Sequence, residues 1–273
     1  MFSTFLDYYE ANIAVHSKPF PGALDLLDAL QAMGVKLALA TNKLERLADM
    51  LFRELGLRDR FTAFLGGDSL GPDKRKPAPD LIEAFRGAPT SVISDNLARL
   101  PGAVGLRPFH RGSKLVGVAF TVRTRPGDNL AIHKALELVG PGDVIVVDGG
   151  GDETRALVGE IMMTIAQYRG AAGYVIDGAI RDVAAFAASD FPCFARTAIH
   201  RGPYKSGPGE INVPVSIGGS VISPGDIVVG DEDGVVSFPA ATAPALLEAV
   251  RAQIAREEQT IISIREGRYQ GSY

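Results

Sequence analysis

Residues 159–182 read G-E-I-M-M-T-I-A-Q-Y-R-G-A-A-G-Y-V-I-D-G-A-I-R-D. The apolar spacing after Glu160 predicts a helix to about Arg169, closed by Gly170. Ala172 to Asp177 then reads as a β-branched, apolar strand. Gly178 is expected to release the chain, placing Arg181 and Asp182 at the start of another helix. Upstream, Asp143 to Asp148 (D-V-I-V-V-D) is a second buried-strand signal, followed by a loop. Strand, loop, helix, strand, loop, helix predicts a right-handed crossover between parallel strands. The loop before Glu160 and the one holding Arg181 then leave the same carboxyl edge of the sheet, where ligands of open α/β sheets gather. Glu160, Arg181 and Asp182 are expected to converge there.

Two carboxylates with room for water suit a hard divalent cation such as Mg²⁺ or Mn²⁺, which keeps several waters and takes few protein ligands. A neighbouring guanidinium can clamp a carboxylate or neutralise an enolate oxygen. Backbone N–H groups from Gly159 through Met162 offer an anion cradle at a helix start. The combination describes a site for a small 2-oxo acid whose keto group a cation would polarise. A purely structural alternative stands beside it: Arg181-Asp182 as a solubilising pair, and Glu160 as a first-turn charge complementing the helix dipole.

Six segments carry a resemblance to a known family: A-P-T-S-V-I-S-D-N-L from Ala88, L-V-G-V-A-F-T-V-R-T-R-P-G-D-N-L from Leu115, V-V-D-G-G-G-D from Val146, V-I-D-G-A-I-R-D from Val175, F-P-C-F-A-R from Phe191 and G-D-E-D-G-V-V from Gly230. In this order they resemble the 4-hydroxy-4-methyl-2-oxoglutarate aldolase family, which includes the regulators of ribonuclease E activity. The resemblance implies an α/β fold with a mixed sheet or swivelling β-core, and a metal-dependent class II pyruvate aldolase that also decarboxylates oxaloacetate. It implies Asp182 as the metal ligand and Arg181 as the residue that binds substrate and stabilises the enolate. Gly159, Glu160, Ile161 and Met162 would form the substrate-carboxylate loop, with Glu160 also ordering water on the metal. A homotrimer or higher oligomer is implied as well. One departure stands at Ala185, where family aldolases carry an acid. The family also borrows a glutamate from a neighbouring subunit's C-terminal region, for which Glu257 and Glu258 are the candidates. A non-catalytic regulator that binds a protein partner is the alternative.

The chain from Tyr8 to about Pro79 reads differently. F-P-G-A-L-D-L-L-D-A-L from Phe20, V-K-L-A-L-A-T-N-K from Val35, D-R-F-T-A-F-L-G-G-D from Asp59 and K-R-K-P-A-P from Lys74 resemble haloacid-dehalogenase-type phosphatases, nearest to phosphoglycolate phosphatases. The resemblance assigns Thr41 and Asn42 to phosphate contact and Lys76 to balancing phosphate charge. The sequence begins inside the cap region, before which a nucleophilic D-x-D would be expected, and the later acidic motif is absent. Without the aspartate nucleophile no phosphoenzyme forms, so no phosphatase activity is expected. The chain is read as a fusion of a truncated phosphatase-like fragment, 1–79, with an aldolase-like domain, 80–273. Asp80 is the expected cap of a helix over 80–85, which is either the first helix of the second part or the next helix of the phosphatase-like part.

At 273 residues the chain has room for two ordinary domains. A net charge of −4 without a basic run argues against nucleic acid or a membrane surface. With neither a signal peptide nor a membrane-length apolar run, the cytoplasm is the expected location. Cys193 is the only cysteine, which excludes an intrachain disulfide, and its F-P-C-F setting predicts a packed thiol. Gly149-Gly150-Gly151-Asp152 is expected to floor the substrate pocket by family resemblance and to be a turn otherwise. Asp231-Glu232-Asp233-Gly234 reads as a hairpin turn. His133 is read as a packing residue on the helix after P-G-D-N. From Pro244 to Gly267 a helix is expected, with Leu247, Val250, Ile254 and Ile261 on one stripe.

Overall fold

The computed structural model describes residues 13–15, 17–41, 45–66, 78–99 and 102–271. It separates into two compact units, Met1–Lys76 and Pro77–Tyr273. In the first, α1 (Ala23–Ala32), β1 (Ala38–Ala40), α2 (Glu45–Glu54) and β2 (Ala63–Leu65) follow in order, and β1 pairs with β2 in parallel. Phe52 packs edge-on against both Phe61 and Phe64, with ring centroids 5.5 Å apart in each pair. Thr41 follows β1, its amide donating to the Leu65 carbonyl at 2.9 Å. Asn42 and Lys76 lie outside the described residues.

The second unit opens with α3 (Pro79–Glu83) and α4 (Thr90–Asp95). Asp80 does not cap α3 as expected: Ala78 holds the cap position and Pro79 starts the helix, leaving Asp80 inside the first turn. The strands are β3 (Arg107–Pro108), β4 (Leu115–Thr124), β5 (Asp143–Val158), β6 (Gly173–Ile180), β7 (Cys193–Ala198), β8 (Gly209–Ile211), β9 (Val215–Ile217), β10 (Ser220–Ile222), β11 (Ile227–Asp231) and β12 (Gly234–Phe238). Between them lie α5 (Leu130–Leu138), α6 (Glu160–Tyr168) and α7 (Val183–Ala187), and α8 (Ala243–Arg265) follows. The main sheet has the order β12-β11-β4-β5-β6-β7-β3, with β8 also on β4. Its middle strands β4, β5, β6 and β7 are parallel, and the flanking pairs are antiparallel.

The middle of this sheet is covered on both faces, which explains the unbroken apolar runs in its strands. Ile145, Val147, Tyr174 and Ile176 pack into the cluster that includes Ala135, Met163 and Phe186 from α5, α6 and α7. Their neighbours Val144, Val146 and Val175 enter another cluster with Val215, Ile217 and Ile222 from β9 and β10. Each fully buried aliphatic chain contributes on the order of 1.5–3 kcal/mol. A third cluster joins Phe85, Ile93, Leu247 and Val250 from α3–α4 and α8 to Val229 and Phe238. Ile254 packs against it, whereas Ile261, the last member of the expected stripe, is exposed.

The expected strand–helix–strand unit is present with longer strands. Val158 ends β5 ten residues beyond Asp148, and Gly178 lies inside β6 rather than releasing it. The Gly149–Asp152 segment is not a simple turn. It belongs to β5, whose register against β6 shifts between Asp148 and Asp152, between Asp152 and Ala156, and again before Val158. Gly150 and Gly151 have φ of 67° and 69°, the left-handed backbone that bulges use. Asp231 to Gly234 forms the expected hairpin between β11 and β12. Cys193 is fully buried, and burial pushes its thiol well above the usual range. No helix among the described residues is long and apolar enough to cross a membrane.

Candidate active site

At the carboxyl edge of β5 and β6 the chain makes two close turns into α6 and α7. Asp182, the residue before α7, has φ 57° and ψ 40°, a left-handed backbone that aspartate tolerates better than most residues. This turn brings its side chain back across β6: Oδ2 accepts the Glu160 amide at 3.0 Å, capping α6 from a residue 22 positions away. Arg181 lies beside it, Nε to Asp182 Oδ2 being 3.7 Å, and both side chains are a little under half exposed. Gly159 makes the approach possible. A Cβ at that position would stand 2.4 Å from Asp182 Oδ2 and 3.0 Å from Arg181 Cγ.

A cavity of about 120 Å³ opens at this point. Gly159, Ile161, Met162, Arg181 and Asp182 line it. The amides of Ile161 and Met162 lie in the first turn of α6, where helical geometry provides no internal acceptor. Tyr174, wholly buried in β6, donates its hydroxyl to the Met162 carbonyl at 2.9 Å and ties that turn to the sheet. A second, wider depression of about 420 Å³ is bounded by Val183, Ala198, Ile199 and His200 as well, so the Arg181-Asp182 pair borders both. Glu160 contributes its amide to the arrangement, but its side chain is exposed and is not a wall of either space. Ala185 packs against the hydrophobic cluster under α7. Glu257 is exposed on α8 and accepts from Gln253 at 2.8 Å; Glu258 is exposed one residue on.

The sequence reading missed part of the cavity wall. Asn129, His133, Pro203 and Lys205 also line it, so His133 packs at the cavity wall. Burial first, and the Lys205 ammonium second, hold the His133 imidazole below its usual range. The only hint in the sequence was D-N within the R-P-G-D-N-L segment. Asp128 organises this side. Its fully buried carboxylate accepts the amides of Leu130 at 2.9 Å, Ser206 at 2.7 Å and Gly207 at 3.0 Å. Burial opposes ionisation of Asp128, but those three amides, with Arg125 nearby, hold it below the usual carboxylate range.

Asp128→Ala is expected to cost about 2–4 kcal/mol in urea denaturation, because three amides lose one shared acceptor. The wild-type contribution is fully present above the ordinary aspartate pKa of about 3.9 and fades as pH falls through the lower folded value. The Asp128→Asn variant should lack that portion of acid sensitivity.

The profile of the RraA-like family, described as Aldolase/RraA, matches residues 90–237, more than half of the chain. The chain belongs to the RraA-like family. A Halalkalibacterium halodurans relative under the provisional name 4-hydroxy-4-methyl-2-oxoglutarate aldolase is 43% identical over 180 residues, covering 66% of this chain and 86% of that protein. A Burkholderia multivorans protein under the same provisional name is 37% identical over 131 residues, 48% of this chain and 79% of that one. Among solved RraA-like folds, Streptomyces coelicolor RraAS2, titled an unusual member of the RNase ES inhibitor RraA family, matches with a TM-score of 0.62 at 28% identity. It covers 67% of this chain and 96% of its own. An uncharacterized Pseudomonas syringae protein gives 0.63 at 29%, over 70% and 94%. A haloacid dehalogenase-like hydrolase profile matches residues 2–106, so the front of this RraA-like chain is similar to those hydrolases, and the two matches overlap over 90–106.

Proposed function

We propose that this RraA-like chain is a divalent-metal-dependent pyruvate aldolase that cleaves 4-hydroxy-4-methyl-2-oxoglutarate or a related 4-carboxy-2-oxo acid, and that it also decarboxylates oxaloacetate. The observation that carries the reading is the convergence of Arg181 and Asp182 on the open first turn of α6. Among the described residues no three His, Cys, Asp or Glu side chains cluster, so a protein cage is not what the donors offer. A single accessible carboxylate beside an open depression fits Mg²⁺ or Mn²⁺, which retain most of their waters. Asp182 would hold such a cation through the oxygen not engaged by the Glu160 amide. The bound ion supplies Lewis-acid polarisation of the keto oxygen.

The chain's own groups do the rest. The amides of Ile161 and Met162 take the carboxylate next to the ketone, using the helix start as an anion site. Arg181 places its guanidinium where charge accumulates as the bond between C3 and C4 breaks. The substrate hydroxyl gives up its proton to a water in the site, the C3–C4 bond breaks, C4 becomes the ketone of one pyruvate, and the electron pair left on C3 becomes the enolate of the other, which water then protonates. Decarboxylation of oxaloacetate leaves the same enolate. Exposed Ile161, Ile165 and Tyr168 form a stripe along α6 suited to a neighbouring copy, consistent with a homotrimer or higher oligomer.

Similarity to RraAS2 and to a Thermus RNA-processing inhibitor RraA favours a second reading, a non-catalytic regulator that binds a protein partner. One assay separates the two. Pyruvate release from 4-hydroxy-4-methyl-2-oxoglutarate or oxaloacetate should require Mg²⁺ or Mn²⁺ and vanish with EDTA. No release from either substrate at any metal concentration would favour the regulator.

A further inference from the structure

Cleavage starts only when the substrate hydroxyl loses its proton, and a lone water is a poor final acceptor for it near neutral pH. With the 2-oxo acid's carboxylate on the Ile161 and Met162 amides and its keto group beside Arg181 and Asp182, the hydroxyl-bearing end extends toward the remaining wall. That wall consists of Asn129, His133, Pro203 and Lys205. A volume of about 120 Å³ holds only a few waters, so a small bound acid comes within reach of all four. The choice of acceptor among them is narrow. An asparagine amide and a proline ring take up no proton, and a lysine ammonium already carries one at neutral pH. Asp182 is engaged by the Glu160 amide and, on the proposed reading, by the cation. The imidazole is left as the group that accepts and returns a proton near neutrality.

Helix α5 holds that imidazole in a fixed place. The Leu130 amide at its start donates to Asp128 Oδ1 at 2.9 Å, and Ile132, Ala135 and Leu136 are buried in the core. Asn129, one turn before His133, donates from Nδ2 to the Leu157 carbonyl at 2.9 Å and to Met162 Sδ at 3.4 Å. The helix is thereby tied to β5 and to the first turn of α6. The His133 amide donates to the Asn129 carbonyl at 3.1 Å, while among the described residues no hydrogen bond engages its ring nitrogens. The charged groups around the ring are Lys205, then Glu137 and Lys134 from α5 itself, with Arg181 and Asp182 across the cavity. Lys134 and Glu137 pair with each other at 3.0 Å. Burial first and Lys205 second outweigh Glu137, so the ring stays neutral at pH 7 with one nitrogen open to a proton.

We infer that His133 is the general base of the cleavage step, receiving the substrate's hydroxyl proton through one water. The proton passes from the hydroxyl to the water and from the water to the open ring nitrogen. The O–H electron pair forms the new carbonyl at C4, the C3–C4 bond breaks, and its pair stays on C3 as the enolate. Water protonates C3, and the imidazolium gives its proton to solvent, which restores the neutral ring. The inference rests on the aldolase reading and deepens it by naming the acceptor. Oxaloacetate loses CO₂ from a carboxylate that is already ionised, so its decarboxylation needs no base at that position.

The test follows both reactions with the full chain and Mg²⁺. A positioned base contributes on the order of 10²–10⁴, so His133→Gln should lower kcat/KM for 4-hydroxy-4-methyl-2-oxoglutarate cleavage about a hundredfold and leave oxaloacetate decarboxylation within about threefold. His133→Ala should show the same split, and added imidazole should raise its cleavage rate about tenfold or more with no gain in decarboxylation. Equal losses on both substrates would assign the ring to the fold alone and overturn the proposal. Cleavage that survives in His133→Gln, or that imidazole fails to restore in His133→Ala, overturns it as well. Decarboxylation without cleavage in wild type sinks the base and leaves an enolate-forming lyase standing. No turnover of either substrate by wild type sinks the aldolase reading, and the base with it.

Discussion

Asp182→Asn should lower metal-dependent pyruvate release at least about a hundredfold, the usual scale for losing a metal ligand. The substitution is nearly isosteric, and an asparagine oxygen can still accept the Glu160 amide that Asp182 Oδ2 accepts at 3.0 Å. The left-handed backbone at φ 57° suits asparagine as well as aspartate. The fold should therefore survive while the negative charge disappears. Thermal unfolding within a few degrees of wild type, together with the activity loss, would place Asp182 in the chemistry. Raising Mg²⁺ should recover part of the lost rate if the defect lies in cation affinity. Equal activity in the variant and wild type at all metal concentrations would remove Asp182 from the mechanism.

The second large effect is expected from a methyl group. Gly159→Ala would set Cβ 2.4 Å from Asp182 Oδ2, which is impossible without displacement. The backbone at Gly159 is extended, with φ −152°, so alanine suffers no conformational penalty there and only the collision matters. Either the Asp182 carboxylate leaves the Glu160 amide, or Arg181, 3.0 Å from the new methyl at Cγ, moves aside. Displacements of about 1 Å near reacting groups cost on the order of a hundredfold in rate. Turnover should fall by about that factor with the far-ultraviolet circular dichroism unchanged. Wild-type rates in Gly159→Ala would show that the Arg-Asp pair tolerates rearrangement and would undo the proposed geometry.

Much of this was legible in the sequence because it rests on local periodicity. The α6 stripe, the closing Gly170 and the apolar β6 each follow from a few neighbouring residues, and together they brought Gly159, Arg181 and Asp182 to one edge. The long β5 was not legible. Three consecutive glycines followed by Asp152 look like a turn, and only pairing with β6, with its register shifts, keeps them in the sheet. Asn129 and Lys205 escaped for a related reason. They are 76 positions apart, and their segments are joined by the Asp128 carboxylate accepting the Ser206 and Gly207 amides, which no spacing rule reveals. Glu160 sits where the sequence placed it, its amide on Asp182 and its side chain exposed beside the site.

Packing on both sides of the middle strands has an evolutionary corollary. A side chain altered within Val144–Val147 or Tyr174–Ile176 meets tightly filled hydrocarbon whichever way it points, so drift there is policed by stability. New substrate preferences must instead arise at the rim, in 159–162, 181–182 and 203–207. A mutant library limited to those eleven positions would explore the accessible repertoire while leaving the sheet's architecture alone.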